Sequence, residues 1–165
     1  MGSKRYIPQK LDKKKDMNLL NMKTTTLVWT LSLAGYIPFA ILAVALYKIG
    51  QSNELFISFF DVFKVWSALI LSFLGGIRWG FAIANEPFEN KNLLISVVPT
   101  ILAWFVLLLP DAYTILALLV LFCLHGVWDS FYINQGKIAP WFGKVRITLT
   151  FLVVAAHVVV LFAIS

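Results

Sequence analysis

Residues 71–80 read LSFLGGIRWG, and these ten residues decide what kind of molecule the chain can be. An arginine stands among leucine, isoleucine, phenylalanine and glycine, in a run otherwise suited only to lipid or protein interior. A charge deep in a bilayer costs roughly 2.5 kcal/mol or more, so Arg78 has to face the inside of a helix bundle and find an acid there. Ser72, Gly76 and Gly80 recur every four residues, extended by Ala68 and Ala84. Such a small-xxx-small ridge lets another helix backbone come close, with Gly75 beside it as a packing or hinge point. Arg78 lies about 200° around the helix from Gly76 at about 100° per residue, so this segment is expected to have protein on both sides and to be the central helix.

Composition points the same way. The 165-residue chain is 60% hydrophobic, 15% aromatic and only 13% charged, with a mean hydropathy of +0.84. That is too apolar and too poor in charge for a soluble domain. The formal charge of +6 does not indicate nucleic acid, because half of the 14 basic residues lie in the first 23 positions, before any hydrophobic segment. Lys4, Arg5, Lys10, Lys13, Lys14, Lys15 and Lys23 form a basic leader without interleaved aromatics. The positive-inside rule places such a leader in the cytoplasm or its organellar equivalent. The leader, residues 1–23, reads as disordered or as an extension, since Met22-Lys23 is a natural alternative start. Cys123 is the single cysteine, so neither an internal disulfide nor a thiolate metal cluster is expected.

The rest, residues 24–165, reads as an all-α polytopic membrane bundle of five transmembrane helices at about 27–47, 54–84, 93–109, 112–133 and 145–164. Pro38 and Pro99 fall inside spans one and three, and Gly50-Gln51-Ser52-Asn53, Pro87 and Pro110-Asp111 mark turns. Counting five crossings puts the N-terminus inside and the C-terminus outside, with Lys91, Lys137, Lys144 and Arg146 joining the leader on the inner face. Asp61 and Lys64, three residues apart, are expected to pair near the outer headgroups.

Asp129, about one turn from the inner end of span four, is the best-matched acid for Arg78 by depth. The expectation is a salt bridge. In that case Arg78→Leu destabilises, and adding Asp129→Leu recovers the loss. His125 stands one turn before Asp129, and His157 lies near the middle of span five. Two imidazoles and one carboxylate at this spacing are a weak metal signature, and no metal or other cofactor is expected. Trp79, Trp128, Trp141 and Arg146 all project to the inner interface, as an aromatic belt or as a pocket for a headgroup or ring. No nucleophile triad, phosphate loop, dinucleotide fingerprint or CxxC pair occurs, so an enzyme is not expected.

LGGIRWG at 74–80, with Gly35, Pro38 and Phe39, Pro99, Ala103-Trp104, Asp129, Pro140-Trp141, Val145-Arg146 and Leu149-Thr150, resembles the transmembrane protein 69-like family, a domain of unknown function. The resemblance covers roughly residues 27–155. It implies a membrane-embedded helical fold in a bacterial inner membrane, or the mitochondrial inner membrane if the chain is eukaryotic, and it implies no reaction. Arg78, Trp79, Asp129, Trp141 and Arg146 match its motif positions; His125 and His157 do not. The first functional expectation is non-catalytic: binding of a lipid or hydrophobic cofactor, or assembly of a membrane complex, with membrane lipids, other membrane proteins or a second copy as partners. The alternative is a small transporter, alone or as a dimer, that uses Arg78 and Asp129 for an anion or a proton.

Overall fold

The computed structural model describes residues 10–84 and 90–165, with side chains described from residue 22 onward. The start of the basic leader and Pro87 with its loop neighbours lie outside the described residues. Five helices account for nearly all the rest: α1 (Lys10–Ile49), α2 (Leu55–Ala84), α3 (Asn90–Val106), α4 (Asp111–Asn134) and α5 (Pro140–Ile164). Their ends follow from local chemistry. Gly50 and Gly136, just past α1 and α4, both have φ of +67°. This left-handed conformation closes a helix C-terminus, and a side chain there would be strained. Pro110 stops the chain from running straight from α3 into α4, and Pro140 opens α5 at its first position, where a missing N–H costs nothing.

Helix α2 touches α1, α3 and α4, while α5 closes the bundle between α4 and α1. The middle is aromatic. Phe39 of α1 meets Phe63 of α2 and Phe122 of α4 edge-on, with centroids 5.7 and 6.1 Å apart. Much of the outer surface is apolar as well; Phe73, Leu94, Phe151 and Phe162 are all exposed. In water such a surface would drive aggregation, whereas in a bilayer it meets acyl chains.

Two expectations are corrected here. Among the described residues four helices are long and apolar enough to cross a membrane: residues Met22–Ile49 of α1, and α2, α4 and α5. The third expected span is not one of them. Helix α3 has 17 residues and stops at Val106, because Leu107, Leu108 and Leu109 turn ahead of Pro110. At about 1.5 Å per residue it is about 25 Å long, less than a hydrocarbon core of about 30 Å. The molecule is therefore not a bundle of five membrane spans, and the orientation that counted five crossings loses that support.

The second correction concerns the small-residue ridge. The buried line of α2 runs through Phe63, Ser67, Ala68, Leu71, Leu74, Gly75 and Arg78. Gly76 and Gly80 are exposed, and an added Cβ at either would meet nothing within 4 Å. The close approach is made by Gly75, where a Cβ would lie 2.6 Å from the Ser96 carbonyl oxygen of α3, with Ser72 Oγ 3.0 Å from Thr100 Oγ1 beside it. Packing follows the three-and-four alternation of an α-helix; strict steps of four drift off the contact face. Gly75 and Arg78 thus share one buried face; the Gly76 side of α2 is uncovered, while the helix keeps the central place expected of it, against α1, α3 and α4.

At the other end of the bundle Lys64 Nζ lies 2.8 Å from Asp61 Oδ1, and also 2.5 Å from Asp111 Oδ1 at the start of α4. Both acids are exposed, so each pair is worth about 0.2 to 1 kcal/mol. Lys64→Met, which removes both pairs, is expected to shift stability by no more than about 2 kcal/mol in thermal unfolding. A larger loss would show that this cluster, rather than the buried one described next, holds α2 to α4.

Candidate functional site

Three charged side chains from three helices meet inside the bundle. Arg78 lies six residues before the end of α2, Asp129 five before the end of α4, and Arg146 six after the start of α5. At about 1.5 Å per residue all three sit about 8 to 9 Å inside one end of the bundle. The neighbouring helices α2 and α4 end there and α5 begins there, so one short polar stratum forms in an otherwise apolar interior.

Asp129 is the hub. Its Oδ1 accepts a hydrogen bond from Arg78 Nη2, and its Oδ2 accepts from Arg146 Nε at 2.7 Å, with Arg146 Nη2 2.6 Å away. The three residues are 5%, 2% and 6% exposed, so these are desolvated ion pairs in which removal of one partner weighs far more than on a surface. Arg78 is also covered by rings: its Cζ lies 4.7 Å from the Trp128 centroid and 4.1 Å from that of Tyr132. Lys137, in the α4–α5 turn, places Nζ 5.1 Å from the same Tyr132 ring. One carboxylate between two guanidinium groups leaves the buried trio with a formal positive charge in excess. Arg78 Nη1 is buried and has no hydrogen-bond partner among the described residues.

The remaining residues singled out in the sequence are distributed differently. His125 belongs to the cluster, with Nε2 4.0 Å from Asp129 Oδ1, too far for a hydrogen bond, and that nitrogen has no hydrogen-bond partner among the described residues, while the ring meets Trp128 edge-on with centroids 5.5 Å apart. His157 is elsewhere. Its ring is fully buried among Phe39, Phe63 and Phe122, and Nδ1 lies 2.8 Å from the Val153 carbonyl oxygen. Among the described residues no three His, Cys, Asp or Glu side chains gather as metal ligands.

The expected interfacial pocket of Trp79, Trp128, Trp141 and Arg146 does not form. Trp79 and Trp141 are 43% and 38% exposed on the outside of the bundle, where an indole at the membrane interface belongs. Trp128 instead faces Arg78, and Arg146 is buried against Asp129. The role of Arg146 as second cation was missed because α5 was expected to begin at residue 145. Pro140-Trp141 carried the signal for the earlier start, since proline favours the first helical position.

Two apolar openings flank the cluster. One, about 130 Å³, lies between α1, α2 and α5 and has Arg146 in its wall. The other, about 210 Å³, lies between α2, α3 and α4 and is lined by His125 and Trp128.

Comparison with known proteins bears on this arrangement. The family model described as protein of unknown function (DUF3429) matches residues 24–162, which include the whole cluster. Transmembrane protein 69 of Xenopus tropicalis is 40% identical over 124 residues, covering 73% of this chain and 47% of that protein. The chain thus spans about half the length of the curated relative it matches. No solved structure is significantly similar to it.

Proposed function

The chain belongs to the DUF3429 family of proteins of unknown function, and from that premise we propose that this polytopic membrane protein acts non-catalytically by holding a monovalent anion at Arg78 and Arg146, as a carrier or as a binding protein. The observation that carries this reading is the imbalance of the buried cluster: two guanidinium groups share one carboxylate, and Arg78 Nη1 has no partner among the described residues. A buried cation with an open donor gains from an anion that brings its own acceptor oxygens, and guanidinium presents two parallel donors to such a group. Lys137 at the neighbouring helix end adds positive potential along the approach.

The network supports an ion site over unspecific lipid contact. It also favours an anion over a proton, because a proton carrier has to take and release hydrogen, whereas both Asp129 oxygens are engaged by arginine. An inner membrane, bacterial or mitochondrial, is the setting we propose, on the strength of the basic residues near the chain start.

The test is thermal unfolding of the purified protein in neutral detergent with increasing sodium formate, against sodium sulfate at matched ionic strength. A ligand of the folded state raises the midpoint with its concentration. The protein is expected to show a saturable rise with formate, and Arg78→Gln, which leaves one cation to one carboxylate, is expected to lose it. Equal responses of both proteins to both salts overturn the proposal.

A further inference from the structure

We infer that the opening between α1, α2 and α5, of about 130 Å³, receives the head end of a long-chain carboxylate, whose head meets Arg146 and whose tail runs on from the opening into the bilayer; this rests on the anion-site reading and names its ligand class. The opening is elongated. Its wall follows α5 from Phe142 to Val153, eleven residues on and so about 16 Å of helix. Arg146 stands near one end, and beyond it the lining passes through Leu149 and Val153 of α5, Leu74 of α2, and Gly35 and Phe39 of α1. A single charged residue at the head of an apolar slot is the complement of a molecule with one charged end and a hydrocarbon body.

Charge and size narrow the class further. The trio has one positive charge in excess, which a monoanion neutralises. The arginine is recessed about 9 Å from the start of α5, deep enough for a three-atom carboxylate but crowded for the glycerol and diester phosphate of a two-chain lipid. The slot lies between helices whose outer faces are apolar: Leu31 and Phe73 in its lining are 63% exposed. An acyl chain reaches it sideways from the bilayer without crossing water. Gly35 contributes room, because an added Cβ there would meet nothing within 4 Å.

The test is equilibrium binding of radiolabelled hexadecanoate to the full chain in phosphatidylcholine nanodiscs, with formate as the head alone and lysophosphatidylglycerol as a phosphate-headed competitor. Hexadecanoate is expected to bind at least tenfold more tightly than formate. Gly35→Leu, and independently Ser32→Leu one turn earlier in the same wall, fill the slot from α1, the helix that contributes none of the three charges. Both are expected to remove that tenfold gain while keeping the response to formate. Arg146→Gln is expected to weaken hexadecanoate at least tenfold. Formate binding with no gain for hexadecanoate, or a gain that survives both slot-filling variants, overturns this inference and leaves the anion site standing. Absence of binding by both carboxylates overturns both. Tighter binding of lysophosphatidylglycerol, abolished by the same leucines, overturns the carboxylate assignment in favour of a phospholipid.

Discussion

Asp129→Leu is expected to be the most damaging single substitution in this protein, lowering stability by about 3 to 5 kcal/mol or more in thermal unfolding. The reason is the position of the carboxylate at the centre of the trio. Arg78 and Arg146 approach different oxygens of the same group, and both are more than nine-tenths buried. Its loss leaves two desolvated cations side by side with no counterion, so desolvation and mutual repulsion act together. Arg78→Leu is expected to be milder, because Asp129 keeps Arg146 and the remaining pair is neutral. This ordering differs from that of an isolated two-residue salt bridge, in which loss of either partner strands one charge. An Arg78→Leu loss equal to that of Asp129→Leu would show that Arg146 does not share the carboxylate.

Gly75→Ala is the second large effect, expected to cost about 1 to 3 kcal/mol although it adds a single methyl group. That methyl would lie 2.6 Å from the Ser96 carbonyl oxygen. A backbone atom cannot rotate away as a side chain can, so α2 and α3 have to separate, loosening the Ser72–Thr100 contact and the packing against Pro99. Alanine favours the helix by about 1 kcal/mol over glycine, which offsets part of the loss. Gly76→Ala is the internal control. With nothing within 4 Å of its Cβ it gains the propensity and meets no clash, so it is expected to be neutral or stabilising. If the two substitutions behave alike, the helices do not approach at Gly75.

Much of this was readable from residue types, and the failures share a cause. Arg78 announced a buried partner because the cost of a charge in hydrocarbon allows few alternatives, and Asp129 stood at a matching distance from its own helix end. Arg146 was hidden by a boundary. Beginning α5 at residue 145 left it at a surface edge, whereas a helix from Pro140 carries it more than a turn inside. The third expected span, 93–109, is as short as α3 itself, so its apolar character alone suggested a crossing that its length does not support; its end was misplaced as well, because Leu107, Leu108 and Leu109 suit a turn facing lipid as well as a helix. The glycine ridge failed on angle. Gly75 and Gly76 are adjacent in sequence, yet about 100° separates them on the helix, and only one lies against α3. Lys64 and Asp61 were legible as neighbours on one helix, but Asp111 was not, because pairing across helices depends on rotation about axes that a linear pattern does not specify.

The central claim is that one buried carboxylate is shared by arginines from two other helices. Its most direct test compares the unfolding midpoints of Asp129→Leu, of Arg78→Leu/Asp129→Leu, and of the triple variant that adds Arg146→Leu. The three-membered cluster predicts that the double variant recovers only part of the loss, since Arg146 still lacks an anion, and that the triple variant recovers most of the remainder by replacing all three charges with apolar side chains. Full recovery in the double variant, with no further gain from Arg146→Leu, would contradict it.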